Sequence, residues 1–481
     1  MNVGIHLKRS AKQFSDRIAL DYGKHHFTYR QFNERVNRLA NGLIDLGLKK
    51  GDRVALLSPN CHQLVEGQYA CLKAGIVRVP LNARLSTPEI IQVLNDSESS
   101  ALIMGPEYIE DINHSSNEIS TVKHYIGFSS TTGSVIDYEG LVASSSAEEP
   151  AVDIELGDMA TLNYTSGTSG VLKAAILTQE NLISQARRHC LITGIDLCRS
   201  SIMCHVAPVT HASGGFILPV FWRGGCNLIL SKFDPKLFLQ TIERSRVTHL
   251  LLVPTMLDVL MAYPELKKFD FSSLQTILLV GSPPPSDLIR RTLSTFGPIL
   301  IQGYGQTETC GGLIFLDKED HFETGDAKKI KHHFPTGLPS IDYEVRVVNE
   351  EGDDVKPDEV GEIISRGDGS MLGYWKASDL TAKTLRDGWV YSGDMATVDE
   401  YGYIYIVDRV SDMIKSGGLK IYPSEVEKIL SNHPSVSEAA VVGVPDERWG
   451  ESVKAVVILR EKMSATEEEI ITYCKQNLAS Y

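Results

Sequence analysis

Ten consecutive residues near the middle of the chain hold its densest chemical pattern: Tyr164-Thr165-Ser166-Gly167-Thr168-Ser169-Gly170-Val171-Leu172-Lys173. Four serine or threonine hydroxyls, two glycines and a lysine follow the apolar start of a strand. Glycines let backbone N–H groups converge on an anion, and hydroxyls and lysine add charge-assisted donors. The segment predicts a loop that binds a polyphosphate, although a serine- and glycine-rich surface turn has the same composition. The spacing differs from the usual NTPase P-loop, in which the lysine directly follows the last glycine.

On both sides of this segment, apolar strands alternate with helical periodicity. Short apolar runs predict strands at residues 53–57, 75–80, 202–206, 226–230, 248–253, 276–280 and 299–302. A capping box of Thr28 and Gln31 predicts the start of an amphipathic helix. Apolar strands separated by helices form parallel sheets that are covered on both faces. The first ~400 residues are therefore predicted to have an α/β fold.

The pattern changes towards the carboxyl end of the chain. Residues 342–348 and 359–365 alternate like antiparallel strands. Beyond Asp408, the sequence predicts helices at residues 423–430 and 466–478 and strands at residues 439–444 and 453–459. We therefore predict an N-terminal domain of residues 1–408 and a small α+β domain of residues 409–481.

Composition limits the class of protein. The chain has 481 residues, more than one hydrophobic core normally serves, and its net charge of −14 argues against a protein that coats nucleic acid or anionic membrane. No run approaches the ~20 apolar residues that span a bilayer, and the first residues lack a secretory pattern. The eight cysteines show neither zinc-site nor disulfide-framework spacing. We expect a cytoplasmic protein without integral membrane association and without a nucleic-acid partner.

A second chemical segment also follows a predicted strand: Gln302-Gly303-Tyr304-Gly305-Gln306-Thr307-Glu308-Thr309. Its glycines permit a ligand to approach closely, and Tyr304 offers an aromatic face to a purine. Thr307 is a donor for an anion, and Glu308 is a hard oxygen ligand for Mg²⁺. A plain strand-to-helix turn with a solvated glutamate explains the same pattern.

Two more segments lie nearer the carboxyl end. Tyr391-Ser392-Gly393-Asp394 and the later pair Asp408-Arg409 place acids after strands, where they accept ribose hydroxyls or form ordinary salt bridges. The last segment contains Lys415-Ser416-Gly417-Gly418 and, by itself, predicts a glycine hairpin that leads into a proline-started helix.

Taken in this order, the four segments resemble the acyl-adenylate-forming superfamily of acyl-CoA synthetases, luciferases and adenylation domains of peptide synthetases. The resemblance covers essentially the entire chain. It implies a large N-terminal domain of two doubly wound α/β subdomains plus a distorted β-barrel, and a small C-terminal α+β lid domain. It also implies the reaction: a carboxylate attacks the α-phosphate of ATP in the presence of Mg²⁺, and coenzyme A then displaces AMP from the acyl-adenylate.

The resemblance further implies residue roles in the nucleotide site. The β- and γ-phosphates would be held by Thr165, Ser166, Gly167, Thr168, Ser169, Gly170 and Lys173. Gly281, Ser282, Pro283 and Tyr304 would flank the adenine, with Gln302 and Gly303 beside them. Thr307 would contact the α-phosphate and Glu308 would bind Mg²⁺. Asp394 and Arg409 would bind the ribose hydroxyls.

Other implied roles concern the acyl transfer. Lys415, Gly417 and Gly418 would lie on the lid segment that faces the site during thioester formation. His211 would form the gate between the acyl site and the pantetheine tunnel, although an ordinary helix-start histidine fits the local sequence. A luciferase-type oxygenase is a less favoured alternative.

The sequence departs from the superfamily pattern at three places. The phosphate loop has Ser169, Leu172 and Ala174 where Thr, Pro and Gly are usual, and the hinge position is Ser411 rather than Asp or Lys. Relatives carry a catalytic lysine on a loop some tens of residues past the position of Tyr481. We therefore expect a tail beyond Tyr481 to supply that lysine. The alternative is a non-catalytic nucleotide or acyl-adenylate binder.

Nearly all residues expected to line the acyl pocket are small or apolar and none supplies a fixed charge, so a roomy, neutral pocket is expected, which favours an aryl, alicyclic or medium- to long-chain aliphatic acid. The residues that the resemblance assigns to it are His211, Ser213, Gly214, Val280, Gly303, Gly305, Cys310, Gly311 and Gly312. We expect coenzyme A as the thiol acceptor because no carrier domain follows in the chain. A stand-alone domain that loads a carrier-protein thiol is the alternative, and a homodimer is one expected assembly.

Overall fold

The computed structural model describes residues 2–129, 135–166, 172–192, 194–321, 334–416, 419–446 and 449–478. The chain divides into two compact units. Unit 1 contains Met1–Glu344 and Arg366–Val390, and unit 2 contains Val345–Ser365 and Tyr391–Tyr481. None of the helices in these described ranges combines the length and the apolar character that crossing a membrane requires.

Unit 1 contains a mostly parallel sheet that carries the second chemical segment. In the described part of the chain it has nine strands, and all neighbours from β14 to β1 are parallel, whereas the outer pairs are antiparallel. With strands numbered in chain order, the spatial order is β16 (Leu338–Pro339), β15 (Gly311–Leu316), β14 (Leu300–Gln306), β13 (Thr276–Val280), β12 (His249–Leu252), β10 (Ile202–His205), β11 (Cys226–Ile229), β1 (Ile18–Tyr22) and β2 (His25–Thr28).

A second sheet of unit 1 carries the first chemical segment. Its strands from β8 to β7 are parallel neighbours, while β8, β9 and β19 pair antiparallel at one edge. The spatial order is β19 (Gly373–Tyr374), β9 (Leu172–Thr178), β8 (Met159–Ser166), β4 (Val77–Pro80), β3 (Arg53–Leu57), β5 (Ser99–Met104), β6 (His124–Gly127) and β7 (Val135–Asp137).

Helices pack against these sheets, and several of them begin at a capping residue and bury an apolar face. In α2, Thr28 and Gln31 form the predicted capping box, and Phe32, Val36 and Leu39 are fully buried. The helices of unit 1 are α1 (Val3–Gln13), α2 (Tyr29–Asp45), α3 (His62–Lys73), α4 (Thr87–Asp96), α5 (Ile109–His114), α6 (Tyr138–Ser144), α7 (Gln179–Leu191), α8 (Ile217–Arg223), α9 (Pro235–Arg244), α10 (Pro254–Met261), α11 (Ser286–Phe296) and α12 (Ser378–Thr384).

The remaining strands form two smaller sheets. One contains β17 (Tyr343–Val348), β18 (Gly361–Gly367), β20 (Leu385–Arg386), β21 (Trp389–Val398) and β22 (Ile404–Arg409). The other lies in unit 2 and contains β23 (Ile414–Ser416), β24 (Leu419–Ile421), β25 (Val436–Asp446) and β26 (Gly450–Leu459). Unit 2 also contains α13 (Pro423–Ser431) and α14 (Glu467–Asn477). Buried apolar side chains from β23, β24, α13 and β25 form the core of this part: Ile414, Ile421, Leu430 and Val441.

The structure corrects the local setting of three predicted segments. The first segment is not a loop throughout: its described ends belong to β8 and β9, which form an antiparallel hairpin. Gly303, Tyr304 and Gly305 lie within β14 rather than after it, since β14 extends to Gln306 and pairs with β15. Asp394 likewise lies inside β21. The domain division at residue 408 remains a prediction, although the division into compact units assigns residues 391–408 to unit 2.

Candidate active site

The hairpin of β8 and β9 positions the first group of site residues. Thr165 lies directly opposite Lys173 in the antiparallel register, so both side chains are on the same face of the sheet. The backbone of Ser166 pairs with Leu172. Residues 167–171, which include the predicted phosphate-loop residues Gly167, Thr168, Ser169 and Gly170, lie outside the described residues.

A short turn between β14 and β15 positions the second group. Thr307–Thr309 forms one turn of 3-10 helix, and Cys310 follows it with a left-handed φ of 50°. A side chain at Gly305 would place its Cβ 2.0 Å from the carbonyl oxygen of Gly311, so only glycine permits this tight return of the chain. The turn thereby fixes Glu308 in a buried position, with 11% of its side chain exposed.

Lys173 and Glu308 meet although they are far apart in the sequence. Lys173 Nζ lies 3.0 Å from Glu308 Oε1, and it also donates a 2.7 Å hydrogen bond to Tyr374 Oη. Tyr374 Oη donates to the same Glu308 Oε1 at 2.5 Å. Burial, followed by the charge of Glu308, raises the pKa of Tyr374, so the phenol stays protonated. Glu308 therefore has two donors on one oxygen.

Sequence reasoning missed Tyr374 because nothing in the segment Gly373-Tyr374-Trp375 suggests ion binding. Its position depends on the pairing of β19 with β9, in which Tyr374 lies opposite Ala175. Since Lys173 is two residues before Ala175 on β9, this pairing brings the phenol beside the lysine. Tyr374 could have been found from the sequence only by predicting that the strand Gly373–Tyr374 pairs with the edge of β9.

The donor set around Glu308 fits Mg²⁺ in one specific way. No cluster of three or more His, Cys, Asp or Glu side chains suited to a metal exists within the described ranges. Mg²⁺ typically uses one or two carboxylates and takes its other ligands from substrate phosphates and water. A single buried carboxylate beside the hairpin of β8 and β9 has this character, so the residues fit a magnesium ion that arrives with a nucleotide.

The residues predicted to flank adenine lie at the ends of two neighbouring strands. Val280 of β13 pairs in parallel with Gly303 of β14, so Gly281 continues next to Tyr304. Gly281 has a left-handed φ of 103°, and Ser282 and Pro283 after it are exposed. The Gln302 side chain is buried, and its amide nitrogen lies 3.0 Å from His321 Nε2.

His211 lies at the start of the 3-10 turn Ala212–Phe216. Its Nδ1 is 2.9 Å from Thr210 Oγ1, and desolvation by the surrounding protein lowers its pKa, so the ring is neutral near pH 7. Ser213, which was assigned to the acyl pocket, is fully buried, and its hydroxyl lies 2.8 Å from His205 Nδ1. Gly214 instead borders Val209, whose carbonyl oxygen leaves no space for a Cβ.

The other predicted residues belong to unit 2. Asp394 and Arg409 are directly opposite each other on β21 and β22, and Arg409 Nε lies 3.3 Å from Asp394 Oδ1. Asp394 is buried whereas Arg409 is exposed. Lys415 lies on β23 with its side chain exposed, and its backbone N–H donates to Glu451 Oε2. Gly417 and Gly418 lie outside the described residues.

Comparison with known proteins identifies the family. Residues 7–375 match the family described as AMP-binding enzyme, and residues 425–481 match the AMP-binding enzyme C-terminal domain. The feruloyl-CoA synthase of Amycolatopsis sp is 39% identical over 476 residues, which cover 98% of this chain and 92% of that protein. A medium/long-chain-fatty-acid–CoA ligase of Mycobacterium tuberculosis is 33% identical, and the match covers 95% of this chain and 80% of the ligase.

A solved structure agrees with these matches. The anthranilate CoA ligase in complex with anthranoyl-AMP has a TM-score of 0.88 and 25% sequence identity, and the match covers 100% of this chain and 92% of that one. The predicted fold class is confirmed, and so are the enzyme class, an AMP-forming acid–thiol ligase, and its use of ATP, Mg²⁺ and coenzyme A. The chain belongs to the family of AMP-binding enzymes.

Proposed function

We propose that this ligase activates an aromatic or other largely apolar carboxylic acid as its acyl-AMP, with release of pyrophosphate, and then transfers the acyl group to coenzyme A. The observation that carries the proposal is the meeting of Lys173 and Glu308, 135 positions apart in the sequence and 3.0 Å apart at Nζ and Oε1. A cation beside a buried carboxylate at a hairpin turn suits a bound magnesium nucleotide.

Each of the two residues would act through charge. Lys173 would leave Glu308 for the phosphate oxygens of ATP, because a polyphosphate offers more negative charge than one carboxylate. Thr165, opposite Lys173, and the loop residues 166–170 would add donors to the same phosphates. Glu308 would then be available to Mg²⁺, which would neutralise phosphate charge as the carboxylate of the acid approaches. Thr307, next to Glu308, would donate to the α-phosphate.

The remaining assignments stay proposals of the same kind. Gly281, Ser282, Pro283 and Tyr304 would flank the adenine with Gln302 and Gly303 beside them, and Asp394 and Arg409 would bind the ribose hydroxyls. His211 would act as the gate to the acyl site, and Lys415 with Gly417 and Gly418 would face the site during thioester formation. We place the enzyme in the cytoplasm because ATP and coenzyme A are both available there.

The acid is proposed from the pocket and from the relatives together. The described residues assigned to the pocket are mostly glycines, with Val280 and Cys310, and none of them supplies a charge that would hold a second carboxylate or an ammonium group. The relative with 39% identity is named for feruloyl-CoA, and the solved structure with a TM-score of 0.88 is named for anthranilate. These two names support an aryl acid, and the 33% identical fatty-acid–CoA ligase keeps a medium- or long-chain aliphatic acid as the second candidate.

The test is AMP release from ATP and Mg²⁺ across a panel of acids, with and without coenzyme A, followed by mass spectrometry of the thioester. The panel contains ferulate, anthranilate, indoleacetate, octanoate, palmitate and malonate. We expect turnover that depends on coenzyme A and is highest with an aryl acid. Turnover with malonate alone would contradict the proposed substrate class.

Glu308→Gln is the matched control, since it keeps the size of the side chain and removes its charge. We expect this variant to lose AMP formation with every acid of the panel. AMP formation without any thioester would favour transfer to a carrier-protein thiol. ATP binding without AMP release in the unmodified chain would favour the non-catalytic binder.

A further inference from the structure

Arg188 is a deeply buried charge near the proposed active site, and the residues already assigned do not include it. It lies on α7, and only 1% of its side chain is exposed. Burying a guanidinium costs free energy unless its N–H groups find acceptors, so the groups it contacts indicate what it stabilises. Its Nη2 donates to the carbonyl oxygens of Cys310 at 3.1 Å and Thr309 at 3.4 Å.

These two carbonyls belong to the turn that carries Glu308, and the structure anchors three successive carbonyls there. Glu308 O accepts from the backbone N–H of Met371 at 2.9 Å. Thr309 O accepts from Tyr343 Oη at 3.1 Å as well as from Arg188. Cys310 O accepts from Gln185 Nε2 at 2.8 Å as well as from Arg188. Arg188 is thus the only described side chain among these donors that contacts two of the three carbonyls.

The other contacts of Arg188 hold the guanidinium itself. It stacks on the Tyr343 ring, with 4.7 Å from Cζ to the ring centroid, and its Nη1 lies 3.8 Å from Asp342 Oδ2. Among the described residues, neither Nε nor Nη1 has a hydrogen-bond acceptor. The strongest directional contacts of the guanidinium are therefore those to the turn.

The turn needs such an anchor because its last residue is strained. Cys310 is a non-glycine residue with a left-handed φ of 50°, a conformation that persists only where surrounding groups enforce it. The carbonyl bonds from Arg188, Gln185 and Tyr343 supply that enforcement.

We infer that Arg188 is a positioning residue: it fixes the Thr307–Cys310 turn, and thereby the direction of the Glu308 carboxylate and of Thr307. The inference rests on the proposed function, in which Glu308 serves Mg²⁺ and Thr307 serves the α-phosphate. Arg188 touches neither the substrate nor the metal in this role. Loss of the Arg188 side chain should therefore raise the Mg²⁺ concentration that AMP formation requires, with a smaller effect on the fraction of folded protein.

The test compares Arg188→Met with Arg187→Ala. Methionine keeps most of the volume of the side chain and removes its donors. Arg187 is the neighbouring arginine, 53% exposed and paired with Asp368, so its loss controls for removing one positive charge from α7. We expect Arg188→Met to raise the Mg²⁺ concentration needed for half-maximal AMP formation about 10–100-fold, as for other groups that orient a metal ligand. Arg187→Ala should leave it within about 2-fold.

Thermal unfolding gives a second readout that does not depend on activity. Mg²⁺ with ATP should raise the unfolding temperature of the wild type and of Arg187→Ala, and should raise that of Arg188→Met much less at the same concentrations. A merely structural role predicts a lower kcat with unchanged Mg²⁺ dependence and an unchanged shift on nucleotide addition. That result would overturn the inference.

Two milder variants decide the matter if Arg188→Met does not fold. Arg188→Lys keeps the charge but loses the planar fork that spans two carbonyls, and Tyr343→Phe removes the hydroxyl that donates to Thr309 while keeping the ring on which Arg188 stacks. Each should raise the Mg²⁺ concentration needed for half-maximal AMP formation, but by less than Arg188→Met does. No change in either would overturn the inference. The proposed function fails separately, if the wild type itself releases no AMP with any acid.

Discussion

Glu308 Oε1 accepts from both Lys173 Nζ and Tyr374 Oη, so the phenol helps to orient the carboxylate. Hydrogen bonds to charged groups contribute about 1.5–3 kcal/mol, which corresponds to at least a tenfold effect on an equilibrium. We expect Tyr374→Phe to lower kcat/KM for ATP about tenfold while the unfolding temperature changes little. Steady-state AMP release measures the first quantity and calorimetry the second.

The control for this variant is Tyr125→Phe, which removes a phenol from β6, away from Glu308. It should leave kcat/KM for ATP unchanged. Equal effects of the two variants, or no effect of Tyr374→Phe, would contradict the role of the phenol.

Asp394 is buried and pairs with the exposed Arg409, which suits an acceptor for ribose hydroxyls. We expect the wild type to prefer ATP over 2′-deoxy-ATP and 3′-deoxy-ATP, since a site built to bind a hydroxyl discriminates against its absence. Asp394→Asn should reduce that preference more than it reduces the use of magnesium. The ratio of kcat/KM values for the three nucleotides is the measurement, and an unchanged ratio would remove Asp394 from the ribose site.

The order of the motifs and their resemblance to the family predicted Lys173 and Glu308 as site residues, since each segment alone also fits an ordinary turn, and the structure brings the two side chains within 3.0 Å of each other. Tyr374 and Arg188 were beyond reach for a physical reason. Each acts through a contact that the tertiary fold creates: Tyr374 through the pairing of β19 with β9, and Arg188 through the packing of α7 behind the turn.

The loop that follows α6 behaves as an ordered element rather than as a free connection. The sequence predicts only a low-complexity loop at residues 144–150. In the structure, Glu149 Oε2 lies 2.8 Å from Lys73 Nζ, whose side chain is 2% exposed. Lys73 also donates to Asn33 and Asn37 of α2, each at 2.7 Å. A buried cation thus joins α2, α3 and this loop.

We expect Glu149→Gln to destabilise the fold by about 3 kcal/mol, because it leaves a buried charge without its partner. The double variant Lys73→Met/Glu149→Gln should be more stable than Glu149→Gln alone, since it leaves no buried charge at this pair. Denaturant unfolding at pH 7 measures both. A double variant that is less stable than the single one would contradict this account.

The same pair predicts a pH dependence. Burial lowers the pKa of Lys73 from 10.5 to about 8. Between these values the unfolded chain binds more protons than the folded one, so the contribution of Lys73 to the free energy of unfolding rises with pH. The destabilisation caused by Glu149→Gln should therefore shrink between pH 7 and pH 10. A cost that is constant over this interval would mean that Lys73 does not titrate there.

Helices and strands were predictable where periodicity was strong. The capping box at Thr28, the strand Arg53–Leu57 and the helix Pro423–Ser431 lie where the pattern predicts them. The strand β9 (Leu172–Thr178) was not predicted, because its first residues, Leu172 and Lys173, belong to the segment that predicts a phosphate loop. Antiparallel pairing with β8 forms that strand.

The predicted boundary at residue 408 can be tested on the whole molecule. Within unit 2, Ser424 at the start of α13 donates its backbone N–H to Asp408 at 3.0 Å and its hydroxyl to Val407 O. A fragment of residues 1–408 would remove α13 and leave β22 without these bonds. We expect residues 391–408 to exchange their amide hydrogens much faster in that fragment than in the full chain. Equal exchange would support residue 408 as a true domain boundary.

The pairing of Lys173 with Glu308 also affects which metal ions the enzyme binds in the cell. Because Glu308 is already paired with Lys173, it should bind a free divalent ion such as iron, manganese or zinc only weakly. Only a nucleotide carries enough negative charge to draw the lysine away, and it brings its own metal as it does so. We expect free metal ions to inhibit the enzyme only weakly, and magnesium to enter the site as its complex with the nucleotide.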